Sequence, residues 1–233
     1  VVLVGVMALL SIGAARPAGA SERHVLAEWR MNEAPGATRL VDAGPHGIHG
    51  RIGADVQRGV VHGGALAHRF SFVLPDQEPV NPERLDTVPH DRRLDPQSDT
   101  YSVTVRLRTT SQLGGNVVQK GQAAAGQYWK LEIEDRIAYC LFRGSEGSRG
   151  AYALHPIDDG SWYTVRCERT PTGVAMWING VLQSRSSGRT GDIANDWPVS
   201  IGGKTHCNQR SEDCDYFSGD IDVVKVETDR VVK

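Results

Sequence analysis

Between Trp162 and Arg185 the chain reads WYTVRCERTPTGVAMWINGVLQSR, and this stretch constrains the fold more than any other. Tyr163, Val165 and Cys167 alternate with Thr164, Arg166 and Glu168, the period-two pattern of a strand with one buried face. Pro171, Thr172 and Gly173 make a turn. A second strand follows, with Val174, Met176 and Ile178 on one side and Ala175 and Trp177 on the other. Asn179-Gly180 then leads into a third strand from Val181. Both residues tolerate positive φ, as a type I′ hairpin turn requires. Three successive antiparallel strands predict an all-β protein.

The rest of the chain extends that pattern. Strands are expected at Val25–Met31, His49–Ile52, Ala67–Leu74, Asn116–Lys120, Gln127–Glu134, Arg136–Arg143, Ala151–Leu154, Val199–Ile201 and Phe217–Glu227. Thr100–Thr109 reads as the central strand, with Tyr101, Val103, Val105 and Leu107 facing one way and Ser102, Thr104, Arg106 and Arg108 the other. Pro75–Pro96 has no sustained period and reads as a long surface connection. Short strands at this spacing, without a convincing helix, predict an antiparallel β-sandwich or jelly roll.

Val1–Ala20 reads as an export signal: an apolar run to about Leu10, then Ala18-Gly19-Ala20 as a small-residue cleavage site. Its apolar run falls short of the ~20 residues of a membrane span. Residues 21–233 are then expected to form one secreted domain with no membrane span of its own. A net charge of −2 and the lack of a basic block argue against nucleic acid as partner. The eight histidines, His24, His46, His49, His62, His68, His90, His155 and His206, are scattered and read as solvated surface residues. Trp162 and Trp177 could stack on sugar rings, although core packing is the commoner fate of tryptophan.

Four cysteines in an exported chain predict disulfides rather than zinc, and allow three pairings. Cys140 shares a face with Ala138 and Phe142, and Cys167 shares one with Tyr163 and Val165. Those two sulfurs would meet inside the sandwich if their strands neighbour each other. Cys207 and Cys214 bracket a polar hexapeptide, so the pairings expected are Cys140–Cys167 and Cys207–Cys214.

The ordered blocks AEWRMNE, VDAGPHGIHGRIG, DTYSVTVRLRTT, NVVQKG, WYTVRCERTPTGVAMWINGVLQ, SIGGK and YFSGDIDVVKVE together resemble a laminin-G-like jelly roll of the concanavalin A-like lectin/glucanase superfamily. They run from about Trp29 to Glu227, and the cysteine-bearing strand and final loop resemble secreted actinobacterial members. The resemblance implies a non-catalytic module that binds a glycan or an extracellular protein. It also implies one structural Ca²⁺, with Asp42, Asp222 and Glu33 as the matching positions; the Ala43–Gly47 loop departs from the usual pattern by carrying Pro45 and His46. Asp213, Asp215 and Tyr216 are expected at one end of the sandwich, where loops carry ligand contacts.

The superfamily also holds glycoside hydrolases, so an enzymatic alternative needs two carboxyls ~5–5.5 Å apart. Glu132 and Glu134 share one face of a strand, with Cα atoms about 6–7 Å apart. The laminarinase-type pattern Glu-x-Asp-x-x-Glu is not kept: Glu134 stands at the Asp position, and Ile137 occupies the third. The preferred expectation makes Lys130, Glu132 and Glu134 the wet face of a strand whose Trp129, Leu131 and Ile133 are buried, and assigns no catalytic residue.

Overall fold

Along Tyr101–Arg108 the side chains of Tyr101, Val103, Val105 and Leu107 are buried, while Thr104, Arg106 and Arg108 stay half-buried on the opposite face. The same parity buries Val165 and Cys167 in Tyr163–Thr170, and Val174, Met176 and Ile178 in Gly173–Ile178. The structure, a computed structural model, describes residues 22–72, 82–205 and 214–232; the segment read as an export signal, Val1–Ala20, lies outside them. Among the described residues no helix is long and apolar enough to cross a membrane.

Sixteen strands, numbered in chain order, build two antiparallel sheets among the described residues. The front sheet runs β14 (Val181–Ser187), β13 (Gly173–Ile178), β12 (Tyr163–Thr170), β7 (Tyr101–Arg108), β16 (Gly219–Thr228), β5 (Ala65–Phe70), β4 (Gln57–His62). In addition, β1 (His24–Trp29) pairs with the C-terminal half of β16. The back sheet begins β11 (Gly147–Tyr152), β10 (Ile137–Gly144), β9 (Tyr128–Glu134), β8 (Gly115–Lys120). It continues β15 (Val199–Ile201), β6 (Asp86–Val88), β3 (Gly50–Ile52), β2 (Arg39–Leu40). One continuous core lies between them, drawing Trp29, Val105, Val165 and Val224 from the front and Trp129, Leu131, Phe142 and Ile201 from the back.

The β13–β14 turn has the geometry its sequence demands. Asn179 and Gly180 sit at φ 50° and 80°, and the Thr164 N–H donates to Asn179 Oδ1 at 2.9 Å. Register slips on β16 around Asp222, so Ile221 and Val224 are both buried while Asp222 and Val223 both turn outward.

Three features depart from the sequence reading. The stretch Pro75–Pro96 is not a plain surface connection: its described part contributes β6 to the back sheet and buries Leu85, Val88 and Leu94. The strand expected over Ala67–Leu74 ends at Phe70, leaving Phe72 about half exposed beyond it. A hairpin partner, β4, was not anticipated, because QRGVVH lacks a clean alternation.

The largest departure is His68. It is fully buried on β5, not solvated, and joins the two sheets. Its Nδ1 lies 2.7 Å from Asp86 Oδ2 on β6, and its Nε2 lies 3.1 Å from Glu33 Oε2 in the segment after β1. Burial alone would discharge the ring, but the two carboxylates outweigh it and raise its pKa from 6.5 to about 9. A charged imidazolium thus sits in the core at neutral pH, flanked by two acids. Lys120 is likewise fully buried, its Nζ 2.5 Å from Asp95 Oδ1 and 2.6 Å from the Asn195 carbonyl.

The expected Cys140–Cys167 disulfide is formed. Its strands are not neighbours in one sheet, as the sequence argument supposed. Cys140 on β10 and Cys167 on β12 face each other across the sandwich, and the bond staples back to front. Cys214 is buried and disulfide-bonded, while Cys207, the partner expected for it, lies outside the described residues.

Candidate binding face

Parity on β7, β12 and β13 leaves a row of outward side chains on the front sheet, and arginine and tryptophan dominate it. Arg106 and Arg108 place their guanidinium groups 4.6 and 5.3 Å from the ring centre of Trp162, and the His62 ring packs against it, tilted by 38°, at 4.6 Å. Arg166 lies 5.5 Å over Trp177. Both tryptophans are half-buried on this outer face, so the core-packing expectation does not hold for either. A guanidinium over an indole is held by cation–π attraction and dispersion while its N–H edges stay available.

Carboxylates fix these arginines in place. Asp220, with its side chain almost fully buried, takes Arg69 at 2.7 Å and Arg108 at 2.6 Å. Burial would raise its pKa, but the two arginines hold it below the usual carboxylate range. Asp222 pairs with Arg106, and Glu168 pairs with Arg166 at 2.5 Å and Arg23 at 2.9 Å. His62 is held below its ordinary pKa by burial and by the nearby charges of Arg108 and Arg106.

Two shallow pockets open on this sheet. One, of about 300 Å³, is lined by Trp177, Glu168, Arg185, Thr170, Thr172 and Ser186 among others. The second, of about 430 Å³, lies at the far end and includes Arg69, Phe72, Arg108, Thr109, Thr110 and Asp220. Each combines an aromatic ring, a guanidinium and hydroxyls, the chemistry that holds a polar ligand with apolar faces.

The two glutamates of the enzymatic alternative lie on the outer face of the back sheet. Glu132 pairs with Lys130 at 2.5 Å and sits between Asn116 on β8 and Tyr139 on β10. It is nine-tenths buried rather than wet, and burial raises its pKa against the pull of Lys130. Glu134 is exposed at the strand end, beside the Asp135-Arg136 turn. Tyr139 stacks on Tyr152 with ring centres 5.6 Å apart, so the face carries one aromatic platform.

The three carboxylates expected around calcium do not come together. Asp42 Oδ1 accepts from the Glu28 and Gly44 N–H groups at 2.8 and 2.7 Å, and its Oδ2 accepts from Ile48 N–H at 2.7 Å. Glu33 accepts from Val41 N–H at 2.7 Å and faces His68, and Asp222 turns to Arg106. Among the described residues no group of three His, Cys, Asp or Glu side chains could hold a metal. Asp42 takes the part of an organising anion for its own loop. We expect Asp42→Ala to cost about 2 kcal/mol, because the Glu28, Gly44 and Ile48 N–H groups lose the carboxylate that accepts from them, equally in EDTA and in excess Ca²⁺, as read by thermal melting. A chelator-dependent melting temperature would show that the protein does hold a metal.

The end-loop residues are also tied down. Asp215 accepts from Asn116 Nδ2 at 3.1 Å and pairs with Lys204, while Tyr216 is buried with Arg84 5.3 Å over its ring. They anchor the final loop to β8. Asp213 lies outside the described residues.

Residues 85–231, more than half of the chain, match the Laminin_G_3 family model, described as concanavalin A-like lectin/glucanases superfamily. The chain belongs to the concanavalin A-like lectin/glucanase superfamily. No curated protein sequence matches it. Solved structures extend the superfamily likeness at the level of fold. The binding domain of Paraclostridial Mosquitocidal Protein 1 superposes with a TM-score of 0.66 at 10% identity, covering 90% of this chain and 50% of that one. The receptor binding domain of botulinum neurotoxin D gives 0.62 at 11% identity, over 90% and 50%. The botulinum neurotoxin serotype D ligand binding domain in complex with N-acetylneuraminic acid gives 0.62 at 12% identity, over 90% and 48%. The chain spans about half the length of these structures.

Proposed function

We propose that this superfamily member is a secreted, non-catalytic binding module that recognises carbohydrate through the front sheet. The observation that carries the proposal is the pair of half-buried tryptophans, Trp162 and Trp177, set among arginines and hydroxyls beside two open pockets. Similar structures bear the names of binding domains, and one of them was solved with a bound sugar acid. A glycan array probed with residues 21–233 tests the reading. Trp177→Ala is expected to weaken the strongest interaction about tenfold, the worth of one aromatic contact. Undiminished binding would move the site off this face. Export is tested separately, by N-terminal sequencing of the secreted product, which should begin at Ser21.

A second reading, polysaccharide hydrolysis, rests on Glu132, whose raised pKa suits a general acid. Its pairing with Lys130 and the exposure of Glu134 make a poorer nucleophile–acid pair than the reaction needs. No reducing-sugar release is expected from a polysaccharide panel. Release that disappears in Glu132→Gln would reverse the assignment.

A further inference from the structure

Strand pairing places the front-sheet cations in a diagonal stripe. Arg185 on β14 stands opposite Ala175, one row from Trp177, and Trp177 stands opposite Arg166. One row further, Arg106 faces Thr164; one more, Arg108 faces Asp220, which faces Arg69. The stripe crosses five strand spacings and three two-residue rows, about 24 Å across the strands and about 20 Å along them.

Its charge opposes that of the whole molecule. Arg23, Arg69, Arg106, Arg108, Arg166 and Arg185 stand against Glu168, Asp220 and Asp222, an excess of three positive charges in a chain whose net charge is −2. Arg185 is exposed and makes no ion pair among the described residues. A surface with excess guanidinium charge complements oxyanions, which guanidinium binds in bidentate fashion. The interleaved indoles and the Thr and Ser hydroxyls of the two pockets add contacts suited to sugar rings.

We infer that the ligand is an acidic polysaccharide, bearing carboxylates or sulfates, laid diagonally across the front sheet from Arg185 to Arg69. The inference rests on the binding role proposed above and names its ligand class. The length of the stripe favours a chain over a single sugar, and the arginines set beside the indoles are preorganised for repeated anionic groups.

The test measures tryptophan fluorescence of the full chain against heparin (sulfated), polygalacturonate (carboxylated), dextran (neutral) and duplex DNA. One or both acidic glycans should bind, more weakly as salt shortens the Debye length from about 10 to about 3 Å; which one binds identifies the anion. Arg166→Gln combined with Arg185→Gln should lower that affinity about tenfold and leave the melting temperature unchanged. Dextran binding alone, unaffected by the double variant, would overturn the acidic ligand while leaving a glycan-binding module. DNA binding equal to the acidic glycans would overturn the glycan assignment in favour of unselective polyanion attraction. No binding to any glycan, here or on the array, would remove the binding role and the inference together.

Discussion

Replacing His68 with leucine should destabilise the protein by about 3–5 kcal/mol, the usual cost of removing one partner from a buried ion pair. Glu33 and Asp86 would be left facing each other in the core without the imidazolium between them. The wild-type protein should show the corresponding pH dependence. Folding raises the His68 pKa from 6.5 to about 9, so its contribution is complete below about pH 6.5 and lost as pH rises through about 9. The variant should behave in the opposite sense and recover stability as acid neutralises the two carboxyls. Urea unfolding at neutral, alkaline and mildly acidic pH reads all three effects. A variant as stable as the parent at neutral pH, with no alkaline loss in the parent, would mean that His68 carries no buried charge.

Removing the disulfide should have a comparable effect by another route. Cys140 and Cys167 are 27 residues apart, and closing a loop of that size restricts the unfolded chain by about 3.5 kcal/mol at 25 °C. The bond also joins opposite sheets, so its loss should be felt as easier separation of β10 from β12. Cys140→Ala with Cys167→Ala should therefore lower the urea midpoint at every pH, unlike His68→Leu. Reductant should reproduce the loss in the parent if it reaches the buried bond. Non-reducing peptide maps linking Cys140 to Cys207 or Cys214 would refute this arrangement.

The strands that could be read from sequence are those with a wet face and a dry one. Thr100–Thr109 and Trp162–Arg185 alternate because β7, β12 and β13 bury every second residue. Strand β6 hid because its three residues include Asp86, an inward carboxylate that breaks the pattern. His68 hid for a related reason: its partners lie 35 positions before it and 18 after it, and no local signal links Glu33, His68 and Asp86. The candidate face was partly legible. Alternation sets Trp177 opposite Val174, Met176 and Ile178, and on a strand with one wet face that parity outweighs the preference of tryptophan for cores. The stripe itself needed strand order, because Arg69, Arg108 and Arg185 meet only through pairings across the sheet.

The place of β16 governs how the chain can be made. It fills the middle of the front sheet, bonded to β7 on one edge and to β5 and β1 on the other, and His24 pairs with Thr228, 204 positions later. On the ribosome it emerges after every other strand described. Until then β7, β5 and β1 offer unpaired N–H and C=O groups to any strand that meets them. Contacts so distant in sequence make sheet closure slow, on the order of milliseconds to seconds. A nascent chain lacking residues 219–228 is therefore an open half-sheet, prone to pair with its neighbours on the polysome, and not a smaller sandwich.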